Sequence, residues 1–410
     1  MAKPKFFKKI LKNGMTIIFE QRKGSGVISL AFAVKYGGIH ESKNEKGISH
    51  FIEHMLYKGT KKRTAKQISE EIEKNGGIIN GFTDDELTAY WCKMPANKIK
   101  IALDVLSDIM LNPLFDEKEI GKERKVIIEE IKMRKDNPQI YVTDRIQNLL
   151  YSGNLGMDLI GNEKTLASLD RKKLVNKFKK VYGSENMILC AVGDANFKKL
   201  CNFCERKFKK SGFKINKPKI RLKNQKKIEK RYGLDQANLV FAYHIPCALQ
   251  KGNYAAQVLS CLMAGGMSSK LWQEIREKRN LAYSVKGFFN IGKSFGYSAI
   301  YVGTSPENIN IVKKIILEEF EKLKRLDEKE VEAAKEQIIG NSKISHEDSQ
   351  GQMLDLLYNE VWGNAKSSYE YEKKIKKVKL EDAKNIAKLA KRYSFIALIP
   401  QYKRVQERKK

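Results

Sequence analysis

The sequence lacks long apolar segments and has few cysteines. No apolar run approaches the ~20 residues of a membrane-spanning helix, and the basic N-terminus has no apolar stretch or cleavage site of a secretory signal. Six cysteines occur in 410 residues, and only Cys201 and Cys204 have Cys-x-x-Cys spacing. No second pair follows at the spacing of a zinc ribbon. These absences argue against a membrane protein and a disulfide scaffold, and we expect a soluble, reduced, cytoplasmic chain.

Acidic residues are also scarce relative to basic ones. The chain has 79 Lys and Arg against 48 Asp and Glu, a formal charge of +31. Such an excess occurs in nucleic-acid-binding proteins. Here, however, the lysines are spread along the whole chain, and no element interleaves basic residues with aromatic ones. We therefore interpret the charge as a solvated basic surface and regard nucleic-acid binding as the weakest alternative.

Helical and strand-like patterns alternate along the first half of the chain. Alternating or β-branched runs predict strands at residues 15–20, 27–34, 78–82 and 87–93. Apolar periodicity predicts a helix from about Gly47 and further helices over residues 65–74, 96–110 and 116–134. Asn75-Gly76-Gly77 and Asp136-Asn137-Pro138 are typical helix ends. The mixture predicts an α+β fold.

Two segments of the chain repeat each other. Pro95 opens PANKIKIALDVLSDIMLNPLFDEKEI and Pro306 opens PENINIVKKIILEEFEKLKRLDEKEV. The two prolines are 211 residues apart, as are Asp116 and Asp327 at the start of each Asp-Glu-Lys-Glu. A constant offset over the whole helix indicates a duplicated α+β domain. We predict domains at residues 1–206 and 232–410, joined by a Lys-rich linker at residues 207–231.

The strongest chemical signal is His50-Phe51-Ile52-Glu53-His54. On a helix, residues i and i+4 lie on one face, so the two imidazoles converge, with the Glu53 carboxylate beside them. A catalytic zinc needs three protein ligands and one open position for water. Glu53 could then accept the proton of that water. Since the chain has only five histidines, this spacing favours a metal site over a polar helix face.

A third ligand must come from another element. The helix predicted at residues 116–134 carries Glu123 and Glu130 two turns apart on one face, with Glu129 rotated away. An acidic pair beside the apolar stripe of a packed helix is costly unless it meets a cation. Spacing alone does not choose between Glu123 and Glu130.

Taken together, the motifs resemble those of the pitrilysin/insulinase peptidases, peptidase family M16. HFIEHMLYKGT is similar to their inverted zinc motif and ERKVIIEEIKMRKDNP to their downstream acidic motif; GGIINGFTDDELTAYW and AGGMSSKLWQEIREKRNLAYSV are similar to later motifs. The likeness runs through nearly the whole chain and is strongest to the short two-domain branch that includes mitochondrial processing peptidase and its bacterial relatives. It implies two duplicated domains, each a mainly antiparallel sheet covered by helices, forming half of a clamshell.

The resemblance also implies the third ligand. In the family this ligand is the later Glu of the acidic motif, some six dozen residues past the second His, and Glu130 lies 76 residues past His54. It therefore implies one Zn²⁺ per chain on His50, His54 and Glu130, with Glu123 orienting a His ligand. Position 341, which the offset aligns with Glu130, is Asn. The second domain is therefore expected to bind substrate without a metal.

Further residues acquire roles from the same resemblance. Arg276 and Tyr283 match an Arg and a Tyr that reach the zinc site from the second domain, where they would stabilise a tetrahedral intermediate; without the resemblance they would be a helix end and the start of a strand. An exposed strand is expected to bind substrate along its edge, at Ile79, Asn80, Gly81 and Phe82. The chain departs from the family pattern at Gly81, where Ala is usual, and at Ala264 and Asn280, where Gly is usual. We expect Gly81 to loosen this edge.

The resemblance implies a zinc endopeptidase that cuts extended or unfolded peptides, with Glu53 as general base. It would act as a homodimer or as a heterodimer with a similar chain. The alternative is a non-catalytic scaffold relative, like the core subunits of a respiratory complex. A scaffold has no reason to keep His50, Glu53, His54 and Glu130 together. The remaining histidines, His40, His244 and His346, are isolated in the sequence and receive no role.

Overall fold

The computed structural model describes residues 4–402. Within this range the chain forms two compact units. The first comprises residues 4–131, 157–219 and 342–370, and the second comprises residues 132–156, 220–341 and 371–402. Each unit is therefore built from segments of both halves of the sequence.

Strands and helices are mixed in both units, which confirms the α+β prediction. The strands are β1 (Lys5–Ile10), β2 (Thr16–Gln21), β3 (Val27–Val34), β4 (Ile78–Thr83), β5 (Thr88–Pro95), β6 (Tyr151–Ser152), β7 (Met187–Gly193), β8 (Arg221–Leu222), β9 (Lys226–Arg231), β10 (Ala237–His244), β11 (Ala282–Ile291), β12 (Gly296–Thr304) and β13 (Tyr393–Pro400). The α-helices are α1 (Ile48–Leu56), α2 (Ala65–Glu73), α3 (Ile99–Leu111), α4 (Glu117–Asp136), α5 (Pro138–Leu150), α6 (Glu163–Ser168), α7 (Arg171–Val181), α8 (Phe197–Lys207), α9 (Asn253–Ala264), α10 (Ile309–Lys322), α11 (Glu328–Glu347), α12 (Ser349–Trp362), α13 (Tyr371–Lys376) and α14 (Leu380–Ala387).

The first unit contains a six-stranded sheet in the order β1-β2-β7-β3-β5-β4. Only the β2–β7 pairing is parallel. The central strands β3 and β7 are apolar on both faces because both faces are covered. Residues of α1 and α3 pack with one face, and Met353, Leu356 and Leu357 of α12 pack with the other. Strand β4 forms one edge of this sheet.

The second unit repeats this arrangement. Its five-stranded sheet has the order β11-β12-β10-β13-β9, and only the β13–β9 pairing is parallel. This order matches β4-β5-β3-β7-β2 of the first sheet, with β11 in the place of β4. Helix α11 begins and ends 211 residues after α4, as the sequence repeat predicts. The fold is therefore a duplicated, mainly antiparallel α+β domain.

The repeat also relates two helices, each of which packs in the unit formed mainly by the other half of the sequence. Helix α5 is made in the first half of the chain and packs in the second unit against β10 and β13. Helix α12 begins 211 residues later, at Ser349, and packs in the first unit against β3 and β7. Each sheet thus receives one covering helix from the other half of the sequence.

The compact units differ from the domain boundaries predicted at residues 1–206 and 232–410. Residues 132–156 belong to the second unit and residues 342–370 to the first. The predicted linker at 207–231 also contains β9, which pairs with β13 at the edge of the second sheet. Its sequence, KKIEKR, has one apolar residue, because an edge strand is held mainly by backbone hydrogen bonds. Among the described helices, none is long and apolar enough to span a bilayer.

Candidate metal centre and active site

Helix α1 places the two motif histidines on one face. Phe51, Ile52 and Met55 are buried in the core of the first unit and fix the rotation of the helix. His50 and His54 are one turn apart, with ring centroids 4.6 Å from each other. His50 is 8% exposed, so the pair lies at the border of the core. The predicted convergence of the two imidazoles is therefore present.

The N-terminus of α1 is fixed by a buried ion pair. Gly47 precedes the helix with φ +93°, and a Cβ there would lie 2.6 Å from the carbonyl oxygen of Ile160. The Glu41 carboxylate accepts hydrogen bonds from the backbone N–H groups of Gly47 and Ser49, at 3.0 and 2.8 Å. Lys46 lies 3.5 Å from Glu41, and both side chains are at most 1% exposed. This cap fixes the start of the helix that carries both histidines.

Helix α4 brings Glu130 to the two imidazoles. Its Oε2 atom lies 3.5 Å from His50 Nε2 and 3.8 Å from His54 Nε2. One ligand atom from each of the three residues lies within 4.8 Å of the others. Two imidazole nitrogens and one carboxylate oxygen are the donor set of many catalytic zinc sites. Among the described residues, this is the group of His, Cys, Asp and Glu side chains close enough to hold an ion.

Glu123 lies on the other side of His54 and does not join the cluster. Its Oε2 is 3.1 Å from His54 Nδ1, and its Oε1 is 2.7 Å from Lys58 Nζ. A carboxylate at Nδ1 favours the tautomer with the proton on Nδ1, which leaves Nε2 free to bind a metal. Nε2 is also the atom nearer Glu130. The role of Glu123 in orienting a metal-binding His54 stays a prediction.

Glu53 points to a different neighbour. Its Oε2 accepts a hydrogen bond of 2.6 Å from the Thr83 hydroxyl at the end of β4. Burial raises the pKa of Glu53, while the Thr83 hydrogen bond and His54 act to lower it. Thr83 was not assigned a role from the sequence. The available signal was its position, directly after the predicted strand at residues 78–82.

The residues predicted to bind substrate lie on edge strand β4, which pairs only with β5 in this sheet. At Gly81, an added Cβ would lie 2.8 Å from the Tyr57 hydroxyl and 3.3 Å from Glu53 Oε1. The Tyr57 hydroxyl is buried and has no hydrogen-bond partner within residues 4–402. The absence of a side chain at Gly81 therefore leaves room for the Tyr57 hydroxyl. The sequence alone predicts only that Gly81 loosens the strand edge.

Arg276 and Tyr283 lie in the second unit. Arg276 is in a π-helical turn at Trp272–Glu277, with its guanidinium 4.3 Å from the centre of the Trp272 ring. Tyr283 is half exposed and lies at a β-bulge near the start of β11, over Gly303. Asn280, between them, has φ +51°, which explains why Gly is usual at this position. The catalytic roles of Arg276 and Tyr283 stay predictions.

His50, His54 and Glu130 thus form a group that could hold a metal ion, beside the Glu53 carboxylate that accepts a hydrogen bond from Thr83. Two family profiles match the chain. The profile of insulinase-type peptidases, family M16, matches residues 16–163. The profile named peptidase M16 inactive domain matches residues 168–338. The chain belongs to peptidase family M16.

Individual relatives agree with this assignment. The chain is 33% identical over 343 residues to an uncharacterized zinc protease of Rickettsia felis, covering 82% of this chain and 83% of the relative. It is 31% identical over 390 residues to an uncharacterized zinc protease of Bacillus subtilis, covering 92% and 93%.

Solved structures share the fold at lower identity. A protease from Helicobacter pylori has a TM-score of 0.89 and 23% identity, covering 97% of this chain and 100% of that one. A chain of complex III2 from Candida albicans has a TM-score of 0.83 and 17% identity, covering 96% and 95%. These two similarities show the two-domain fold alone.

Proposed function

We propose that this chain is a zinc-dependent endopeptidase acting on extended or unfolded peptides. The observation that carries the proposal is the cluster of His50, His54 and Glu130, with ligand atoms within 4.8 Å of one another. Zinc bound there would supply a Lewis acid that acidifies water and polarises a peptide carbonyl. The relatives named zinc proteases support the same metal and reaction class.

The surrounding side chains have distinct tasks in this proposal. Glu53 accepts a proton from water and returns it to the leaving amine, and the Thr83 hydroxyl fixes the orientation of its carboxylate. Glu123 holds the His54 ring with Nε2 directed toward Glu130. Arg276 and Tyr283 donate hydrogen bonds to the oxygen on which negative charge develops.

The proposed substrate form follows from edge strand β4. A peptide that adds to a sheet edge binds through its own backbone N–H and C=O groups, so many sequences are accepted. The peptide must be extended along Ile79, Asn80, Gly81 and Phe82, which excludes rigid helices and compact domains. We further propose that the chain works in the cytoplasm, as a homodimer or with a similar partner chain.

The zinc content of the purified protein tests the proposal. We expect about one Zn²⁺ per chain, and we expect a His50→Ala, His54→Ala double variant to lose it. A His346→Ala variant serves as the matched control and should retain the metal. The wild-type chain should also cleave a quenched library of unstructured peptides. Zinc bound by the double variant would contradict the assigned ligands, while zinc binding without cleavage of any peptide would favour the scaffold alternative.

A further inference from the structure

The turn between β4 and β5 is attached to helix α12, which comes from the second half of the sequence. We propose that Tyr358 of α12 is a positioning residue for Glu53: it holds this turn, and thereby the Thr83 hydroxyl, in place. The inference rests on the proposed peptidase function. It gives the second half of the chain an indirect part in positioning the base.

Two contacts join Tyr358 to the turn. Its hydroxyl donates a hydrogen bond of 2.7 Å to Asp84 Oδ2. Its ring stacks on Phe82 of β4, with centroids 6.3 Å apart and planes inclined by 25°. Burial and the nearby Asp84 carboxylate raise the pKa of Tyr358, so the phenol stays protonated and remains a donor. The residues on both sides of Thr83 therefore contact one aromatic side chain.

Asp84 is the centre of the turn. Its N–H donates to the carbonyl oxygen of Leu87 at 2.8 Å, and its own carbonyl oxygen accepts from the N–H of Gly38 at 3.0 Å. Its Oδ1 accepts from the N–H of Asp85 at 2.7 Å, which leaves Oδ2 for Tyr358. The carboxylate thus connects the turn itself to α12.

Thr83 immediately precedes Asp84 and donates the 2.6 Å hydrogen bond to Glu53 Oε2. A carboxylate that acts as a base must hold one oxygen toward the water, so the position of the other oxygen matters. A displacement of the turn moves the Thr83 backbone and lengthens this hydrogen bond. Tyr358 therefore acts on Glu53 through Asp84 and Thr83, without touching it.

The duplication provides an internal comparison. Gln147 of α5 lies 211 residues before Tyr358 and also contacts the corresponding hairpin, accepting hydrogen bonds from Asn290 and Tyr297 at 3.2 and 3.3 Å. The attachment of this helix to a hairpin is thus common to both units. In the first unit, the attached turn directly follows Thr83, the residue that donates to Glu53. The contact between helix and hairpin can therefore affect the base in this unit.

The test compares two tyrosines that donate to carboxylates in the first unit. Tyr358→Phe should lower kcat on a quenched peptide roughly tenfold, a part of the roughly 10²–10⁴ that a general base supplies, with little change in KM or zinc content. Tyr369→Phe is the matched control, because Tyr369 donates to Glu20 on β2, away from the turn. Its kcat should equal that of the wild type. Equal kcat values for the two variants would overturn the inference.

Two further measurements separate positioning from general destabilisation. In a Thr83→Val background, Tyr358→Phe should cause no further loss of kcat, since both act through one hydrogen bond; additive losses would overturn the inference. Amide hydrogen exchange at residues 82–88 should accelerate in Tyr358→Phe and stay unchanged in Tyr369→Phe, and unchanged exchange in both would also overturn it. A zinc-loaded wild type without turnover would instead overturn the proposed function.

Discussion

Glu53 and Glu130 are two carboxylates beside the same histidine pair, and their partners differ. Glu130 faces the Nε2 atoms of both histidines, while Glu53 accepts from Thr83. In the proposed function this difference in partners distinguishes the metal ligand Glu130 from the base Glu53, although both residues have the same side chain.

Substituting Glu53 by Gln should preserve zinc and lower turnover by about 10²–10⁴, because the amide cannot accept the proton of water. Glu130→Gln is the comparison and should reduce the zinc content. The measurements are metal analysis and kcat for both variants. If Glu53→Gln lost zinc while Glu130→Gln kept it, the two roles would have to be exchanged.

His40 should make stability depend on pH. Burial, with a smaller contribution from Lys46, lowers its pKa to about 4 from 6.5. Below pH 6.5 His40 binds a proton in the unfolded chain, whereas in the folded chain it binds this proton only near pH 4. The free energy of unfolding therefore falls with decreasing pH by about 1.4 kcal/mol per unit in this window. The stability difference between wild type and His40→Gln, measured by urea unfolding, should show this slope, whereas a constant difference would contradict it.

The site could be predicted in part from single residues. The spacing of His50 and His54 required only helical geometry, since both ligands lie on one element. Glu130 could not be separated from Glu123 by spacing, because the choice depends on how α4 lies against α1. For Thr83 the only signal was its position directly after a predicted strand, and Tyr358 had no signal. Their contacts join residues 30 and 274 positions apart, and no local pattern marks such pairs.

At the scale of elements, helix α1 depends on its buried N-terminal cap. Lys46→Met should remove the cation beside Glu41 and lower the free energy of unfolding by about 3–5 kcal/mol, since an uncompensated buried carboxylate remains. The Glu41→Gln, Lys46→Met double variant should recover part of this loss, because no lone charge is left. Urea unfolding of the wild type and of these two variants measures the effect, and a Lys46→Met variant as stable as the wild type would contradict it.

Elements with strong patterns were predicted well. Strand β3 has the predicted bounds, Val27–Val34, because its apolar residues are buried on both faces. Helix α4 was predicted at residues 116–134 and lies at Glu117–Asp136. Strand β9 was missed because hydrogen bonds to β13 stabilise it, and its lysines and Glu229 gave no apolar pattern. The exchange of α5 and α12 was also missed, since an apolar helix face does not identify the sheet that it will cover.

At the scale of the whole molecule, the proposal assigns catalytic residues to both units. Tyr283→Phe and Arg276→Ala should each lower kcat by roughly 10²–10³, the usual effect of removing one donor to a developing oxyanion. Zinc content should not change, because neither residue is a ligand. Arg279→Ala is a control on the same segment, where Arg279 pairs with Glu274. Wild-type turnover in both variants, with zinc bound, would show that the second unit serves only as a scaffold.

The exchange of helices between the two halves of the sequence also constrains the order in which the units can fold during synthesis. The first unit requires residues 342–370, so its sheet lacks α12 until synthesis has passed Trp362. During that time Ile18, Ile188 and Val192, which α12 helps to bury, have no cover from their native partner on the nascent chain. Folding of the first unit therefore cannot be completed before α12 has been synthesised, and the second unit likewise needs β13, which ends at Pro400.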